Sequence, residues 1–238
     1  DAAVTAARKA FQTFSRTSRE ERIALLERIH EAYVARFDDI AWAICREVGA
    51  PITLSRGLQA QTGILHLETT KAVLASYEFL IRQGESCILK EPIGVCGLIT
   101  PWNWPINQLC VKLIPAIAAG NTVVLKPSEE TPVSAMILAE VMHAANVPPG
   151  VFNLVNGTGP EVGAAIAGHR GVDMVSFTGS TAAGIKVAQA AAPSVKRVTQ
   201  ELGGKSPSVI LADADLQQAV DTCIEWILLN SGQSCSAP

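Results

Sequence analysis

The sequence predicts an α/β fold, a mostly parallel β-sheet with helices on both faces, preceded by an N-terminal helical layer. Three observations predict it. Hydrophobic residues make up 48% of the 238 residues and charged residues only 17%, enough apolar surface for a core and too little charge for a disordered chain. Charge is unevenly spread: residues 1–50 carry sixteen charged side chains, whereas Lys112 is the only one between Pro92 and Leu125. After Pro92, short β-rich runs alternate with helical runs, each boundary punctuated by Gly, Pro, Asn or Ser, as in parallel sheets with crossover helices.

The elements follow in order. Ser18 and Glu21 form a capping box opening a helix with Leu25, Leu26, Ile29, Tyr33, Val34 and Phe37 on one face. Gly49 and Pro51 end the run after it, and residues 54–83 read as another long helix. Strands are expected near 93–99, 122–126, 151–155, 173–178 and 207–211, with a further polar strand over Lys196–Gln200. Thr131 and Pro132 read as N-cap and first turn of a helix. Asp215 caps another, whose Leu216, Ala219, Val220, Cys223, Ile224, Ile227 and Leu228 share one stripe, expected to be buried.

Composition excludes several function classes. A formal charge of -3, from 19 basic and 22 acidic residues, argues against a polybasic nucleic-acid binder. The long uncharged stretch Pro92–Val111 contains Pro92, Pro101 and Pro105, unsuited to a membrane helix or a signal-peptide core, so no membrane partner is expected. The six cysteines show no C-x-x-C spacing and no nearby histidine pair, which predicts no metal site, and they suggest a reducing compartment, the cytoplasm. His30, His66, His143 and His169 read as structural.

Chemistry concentrates at the expected strand ends. Thr178-Gly179-Ser180-Thr181 leads from a strand into a helix, where free backbone N–H groups can meet an anion. Gly157, Gly159 and Gly163 form a G-x-G-x-x-x-G run after another strand, one residue longer than the usual dinucleotide fingerprint, and a plain glycine-rich loop is the alternative. Two such turns on neighbouring strands favour a nucleotide site. Cys235 follows a Ser231-Gly232 break, whereas Cys223 lies on the apolar stripe, so position separates a reactive thiol from a packing thiol. Glu201 precedes two glycines and, read alone, is a surface carboxylate. Asn103 sits between two tryptophans and two prolines, where its amide is either a turn cap or a donor to a developing oxyanion. Lys126 and Glu129 read as a solvated loop pair. Lys112 must be paired or near solvent-filled space.

Pro101-Trp102-Asn103-Trp104-Pro105, Lys126-Pro127-Ser128-Glu129, Phe177-Thr178-Gly179-Ser180, Glu201-Leu202-Gly203-Gly204-Lys205 and Gly232-Gln233-Ser234-Cys235 resemble, in order, the motif series of the NAD(P)-dependent aldehyde dehydrogenase superfamily. The resemblance implies a Rossmann-like cofactor domain with its N-terminal helices over residues 1–201, and the start of a second α/β catalytic domain over 202–238. It also implies that the chain is a fragment, since the family's members are about twice as long. By the same resemblance Cys235 is the nucleophile, Glu201 the general base and Asn103 the oxyanion donor. Cofactor contacts are expected at Thr100, Pro101, Trp102, Lys126, Ser128, Glu129, Gly157, Gly159, Gly163, Phe177, Thr178, Gly179, Ser180, Leu202 and Gly203. The Glu129 carboxylate favours NAD over NADP, because it accepts from ribose hydroxyls and repels a 2′-phosphate. The substrate is expected to be a small aldehyde in a tunnel lined by Asn107, Gln108, Val111, Leu229 and Ser234, and the full protein a homodimer or homotetramer. Alternatives are a CoA-acylating relative, or a truncated nucleotide-binding fragment without turnover.

Overall fold

The computed structural model describes residues 1–237. Helices α1 (Ala2–Phe14), α2 (Arg19–Ala35), α3 (Phe37–Val48), the short α4 (Ile52–Leu54) and α5 (Gln61–Ser76) build the N-terminal layer. The capping box forms: Ser18 Oγ accepts from Glu21 N at 3.1 Å, and Ser18 N donates to Glu21 Oε2 at 2.6 Å. Leu25, Leu26, Ile29 and Tyr33 are buried on one face of α2. Val34 does not belong to that face; it is about half exposed, being one residue and so about 100° round the helix from Tyr33. Gly49 ends α3 with φ 76°, a left-handed conformation that its missing Cβ permits.

The expected long helix over 54–83 is three things. Ser55–Gln59 is a π-helical turn, α5 runs from Gln61 to Ser76, and a hairpin follows, with β1 (Leu80–Gln83) paired antiparallel to β2 (Ser86–Leu89). Gly84, at φ 61°, opens the two-residue hairpin loop, and that conformation cannot be helical.

The main sheet has the order β5 (Phe152–Leu154), β4 (Thr122–Lys126), β3 (Val95–Ile99), β6 (Met174–Thr178), β7 (Arg197–Glu201), with every pairing parallel. From the central β3 the chain winds outward to β5, then returns to β6 and β7 on the other side. That reversal places the topological switch point beside β3. The register puts Ile99 beside both Lys126 and Phe177, and Thr178 beside Glu201, so the carboxyl ends lie along one edge.

Alternation along the strands divides the core. Cys96, Leu98, Val123 and Leu125 face α6 (Pro105–Ala118), α7 (Pro132–Ala144), α2 and α5. Val95, Ile99, Val124, Val175 and Phe177 face α1, α8 (Ala164–Gly168) and α9 (Thr181–Ala191). Helix α7 begins at Pro132, but Thr131 is not its side-chain cap. Glu47 of α3 takes that part, accepting from Val133 N at 2.5 Å and Ser134 N at 3.1 Å. A carboxylate supplies both the hydrogen bonds and the negative charge that a helix start favours.

Residues 207–211 form no strand. Val209 is 77% exposed, and among the described residues no strand pairs with this segment. Helix α10 (Leu216–Leu228) is capped by Asp215, whose Oδ1 accepts from Gln217 N and Gln218 N at 2.9 and 3.1 Å. Its apolar stripe is not buried: Leu216, Val220, Ile224, Ile227 and Leu228 are exposed, and Cys223 is half-buried. Periodicity reports that a face is apolar; it does not report what covers it. Among the described residues no helix is long and apolar enough to cross a membrane.

Candidate active site

Three strand ends and one loop from α10 converge. Pro101, Trp102 and Asn103 follow β3; Thr178, Gly179 and Ser180 end β6 and lead into α9; Glu201, Leu202 and Gly203 end β7 and lead away from the sheet. With Gln108 of α6, Gly204 and the segment Gln233, Ser234 and Cys235, they line one cavity of about 330 Å³. Cys235, Glu201 and Asn103, spread over 133 positions of sequence from 103 to 235, therefore share one space. Cys235 and Glu201 are exposed there and Asn103 is half-buried. One N–H of the Asn103 amide donates to Gln233 O at 3.0 Å, which leaves its second N–H for a ligand.

Several features suit a polar, phosphate-bearing guest. The hydroxyl of Thr178, which lines the cavity, and that of Thr100, at the end of the adjacent strand but outside the cavity lining, are buried without a partner. Buried hydroxyls are ordinarily satisfied, so an unpaired couple here has capacity to spare. Ser180 Oγ accepts from Ala183 N at 3.2 Å and so caps α9, whose other first-turn N–H groups remain available at the cavity. A Cβ added to Gly203 would find no atom nearer than 3.9 Å, and one added to Gly204 none within 4 Å, so the cavity floor is open beside them. Phe177 packs beneath, close enough that a Cβ on Gly179 would lie 2.6 Å from its ring.

The remaining expected contacts gather at the ends of β4 and β5 and do not line this cavity. Lys126 and Glu129 are not a solvated pair: the Lys126 side chain is 2% exposed, and its Nζ donates to Pro127 O and Glu129 Oε2, both at 2.8 Å. Glu129 Oε1 accepts from Gly159 N at 3.1 Å. The hydrogen bond from Lys126 holds the Glu129 carboxyl below the usual carboxylate range. Ser128 Oγ accepts from Glu130 N at 3.2 Å. Gly157 has φ 148° and packs against Val162, while Gly163 lies beside the buried Lys126 stem. The glycine run thus wraps the Lys126–Glu129 pair.

Lys112 is both paired and beside open space. Its Nζ donates to Ser176 Oγ at 3.0 Å, and the side chain lines a second cavity, of about 350 Å³, with Ser176 and Thr199. Burial lowers its pKa, and the nearby Glu201 charge opposes that shift. Of the expected tunnel positions, Gln108 and Ser234 line the first cavity and Val111 the second. Asn107 Oδ1 meets His66 Nε2 of α5 at 2.8 Å.

Sequence reasoning missed Gln59 and Asn230. Gln59 Nε2 donates to Asn230 Oδ1 at 2.8 Å across 171 residues, and both side chains are buried. The signal for Asn230 was present in Asn230-Ser231-Gly232, three residue types suited to tight turns. Nothing local announces Gln59.

The family model described as "Aldehyde dehydrogenase family" matches residues 1–238. A 3-succinoylsemialdehyde-pyridine dehydrogenase from a Pseudomonas species is 55% identical over all of this chain and 50% of its own length. Among solved structures, aldehyde dehydrogenase C of Pseudomonas syringae, crystallised as a cysteine-to-alanine variant with NAD+ and octanal, is 54% identical. It superposes with a TM-score of 0.97 over 99% of this chain and 49% of its own. A Bacillus cereus aldehyde dehydrogenase in complex with NAD+ is 36% identical, with a TM-score of 0.95 over all of this chain and 50% of its own. The chain spans about half the length of the relatives it matches. A match along its full length, with the fold and a cysteine, a carboxylate and an asparagine gathered at the strand ends, makes this chain a member of the aldehyde dehydrogenase family.

Proposed function

We propose that this chain carries the cofactor-binding and nucleophilic part of an enzyme that oxidises an aldehyde to a carboxylic acid with NAD+. The observation that carries the reading is the meeting of Cys235, Glu201 and Asn103 in one cavity at the carboxyl edge of the parallel sheet. The relatives crystallised with NAD+, one of them also with octanal, support the cofactor and the substrate class.

The residues divide the work. Cys235 Sγ, as thiolate, adds to the aldehyde carbon, and the carbonyl oxygen becomes an oxyanion. The free N–H of Asn103 stabilises that charge, as does the backbone N–H at the nucleophile. When bound, NAD+ supplies the hydride acceptor: hydride leaves the thiohemiacetal carbon, the C=O bond re-forms and the Cys235 adduct becomes a thioester. Glu201 then takes a proton from water, which attacks the thioester carbon, releases the acid and returns the thiol. A carboxylate lining the thiol's cavity supports water over CoA as the acyl acceptor. For the cofactor, Thr100, Thr178, Ser180 and the start of α9 are assigned to the pyrophosphate side, and the Lys126–Glu129 pair, with Ser128 and the glycines at 157, 159 and 163, to the adenosine ribose. Pro101, Trp102, Phe177, Gly179, Leu202 and Gly203 form the walls. Residues 1–201 are assigned to the cofactor domain and 202–238 to the start of the catalytic domain.

The test is Cys235→Ala in the full-length enzyme, with NADH absorbance followed over an aldehyde panel. Turnover is expected to vanish while NAD+ binding persists; retained turnover would overturn the assignment. NAD+ binding without NADH from any aldehyde in the unmutated enzyme would favour a nucleotide-binding protein instead.

A further inference from the structure

The loop that carries Cys235 has an unusual foundation. Asn230, Ser231 and Gly232 have φ values of 54°, 57° and 76°, three successive left-handed residues, two of which bear a Cβ that disfavours this region. Neighbouring residues must hold such a segment in place. The exposed stripe of α10 shows that apolar packing within the described chain does not.

A carboxamide network does. Asn230 is 2% exposed, and its amide is fully engaged: Nδ2 donates to Asn103 O at 2.9 Å and to Gln233 O at 3.2 Å, while Oδ1 accepts from Gln59 Nε2 at 2.8 Å. Gln233 Nε2 returns a bond to Asn230 O at 3.0 Å, and Asn103 Nδ2 donates to Gln233 O at 3.0 Å. The orientation of Asn230 is therefore dictated. Two carbonyls demand its NH2, so its oxygen must face Gln59, and Gln59 must present a donor. Gln59 is 1% exposed, at the end of the π-helical turn before α5, and its Oε1 has no partner. Single π-turns inside helical runs recur at functional sites because they aim one side chain out of register.

We propose that Gln59 is a positioning residue for the reaction: its N–H, delivered by the π-turn of the N-terminal helical layer, fixes Asn230 and through it the relative placement of Asn103 and the Cys235 loop. This assignment rests on the function proposed above for Cys235 and Asn103. A glutamine that merely fills space would be replaceable by any side chain of the same shape, whereas this one must donate.

Two near-isosteric variants of the full-length enzyme separate the cases. Gln59→Met keeps the volume and removes the donor. Gln59→Glu keeps the shape and presents an acceptor to Asn230 Oδ1 when ionised, but an O–H donor when protonated. Burial raises the pKa of such a carboxyl, so lowering the pH moves it toward the donating, protonated form. The readouts are kcat with NAD+ and a fixed aldehyde, KM for NAD+, and the rate of Cys235 alkylation by iodoacetamide, each between about pH 6 and pH 8. Dividing Gln59→Glu by Gln59→Met at each pH cancels the pH effects common to both variants, including those of charged groups near the turn such as Lys112 on α6 and the Arg56–Asp38 pair.

At about pH 8, kcat is expected to fall roughly tenfold or more in both variants, with KM for NAD+ within about twofold of wild type. As pH falls to about 6, Gln59→Glu should recover relative to Gln59→Met in both kcat and alkylation rate, by about threefold or more. Wild-type kcat in Gln59→Met, or a Glu-to-Met ratio flat with pH, would overturn the proposal. The alkylation arm needs no aldehyde, so a failure of the dehydrogenase reading, seen as turnover in Cys235→Ala, stays distinguishable from a failure here.

Discussion

The sheet core and the segment bearing Cys235, the proposed nucleophile, are held by different forces. In β3 and β4 every residue is buried, and α6 buries nine of its fourteen residues. From Leu202 to Ala237, by contrast, Asn230 is the only buried residue. The contrast teaches that the scaffold is held by apolar area, whereas the loop bearing Cys235 is anchored by a handful of directed hydrogen bonds. Burial is non-directional and tolerant of small shifts in aim. A carboxamide network specifies angle and register, which a reacting atom requires.

This contrast can be broken by experiment, and the largest effect is expected at its border. Glu201 ends β7 and faces the cavity, so Glu201→Gln should cost about 10²- to 10⁴-fold in steady turnover of the full-length enzyme, with little change in melting temperature. Because its proposed duty follows hydride transfer, a stoichiometric burst of NADH should survive. Equal loss of burst and steady rate in rapid mixing would assign Glu201 to thiol activation instead.

Within the core the expectation is reversed. Ile114 on α6 is fully buried, so Ile114→Ala should destabilise the 238-residue chain by about 2–5 kcal/mol in denaturant titration. Capping comes next. Glu47→Ala removes both acceptors at the start of α7, at a cost of about 0.5–2 kcal/mol, whereas Thr131→Ala should cost less because its hydroxyl has no partner. The smallest effect belongs to α10, where Ile224→Ala should stay within about 0.5 kcal/mol in this chain. A cost at Ile224 matching that at Ile114 would erase the distinction between the two regions.

The Lys126–Glu129 pair sharpens the comparison through pH. Lys126 keeps the folded Glu129 carboxyl below its ordinary value of 4.5, so the ionised side chain adds stability above that value and loses it as pH falls through the lower, folded value. Glu129→Gln should therefore flatten the acid side of the stability profile, modestly, because Glu129 is partly exposed. The same variant should narrow the preference for NAD+ over NADP+, expected at roughly tenfold or more in the unmutated enzyme. An unchanged cofactor ratio would remove Glu129 from discrimination.

Local signals were sufficient where the chain's own periodicity and turn chemistry decide the outcome. The capping box at Ser18, the glycine stop at Gly49, the Asp215 cap and the strands of the parallel sheet were all legible, because each is specified within a few residues. The hairpin after α5 was missed although Gly84-Glu85 is a two-residue turn, since helical periodicity around it hid the signal. The motifs marked Cys235, Glu201 and Asn103 one by one, without showing that they share a cavity.

What the sequence determined by itself is thus the alternation of elements and the identity of the chemically capable residues, both written in short-range pattern. Only the tertiary structure decided that Glu47 and not Thr131 caps α7, that Lys126 is buried, and that the stripe of α10 lies open. It alone joined Gln59 to Asn230, 171 residues away. The physical reason is the same in each case: a cap, a burial or a hydrogen bond between distant residues depends on which partner the fold delivers, and no local propensity encodes the partner.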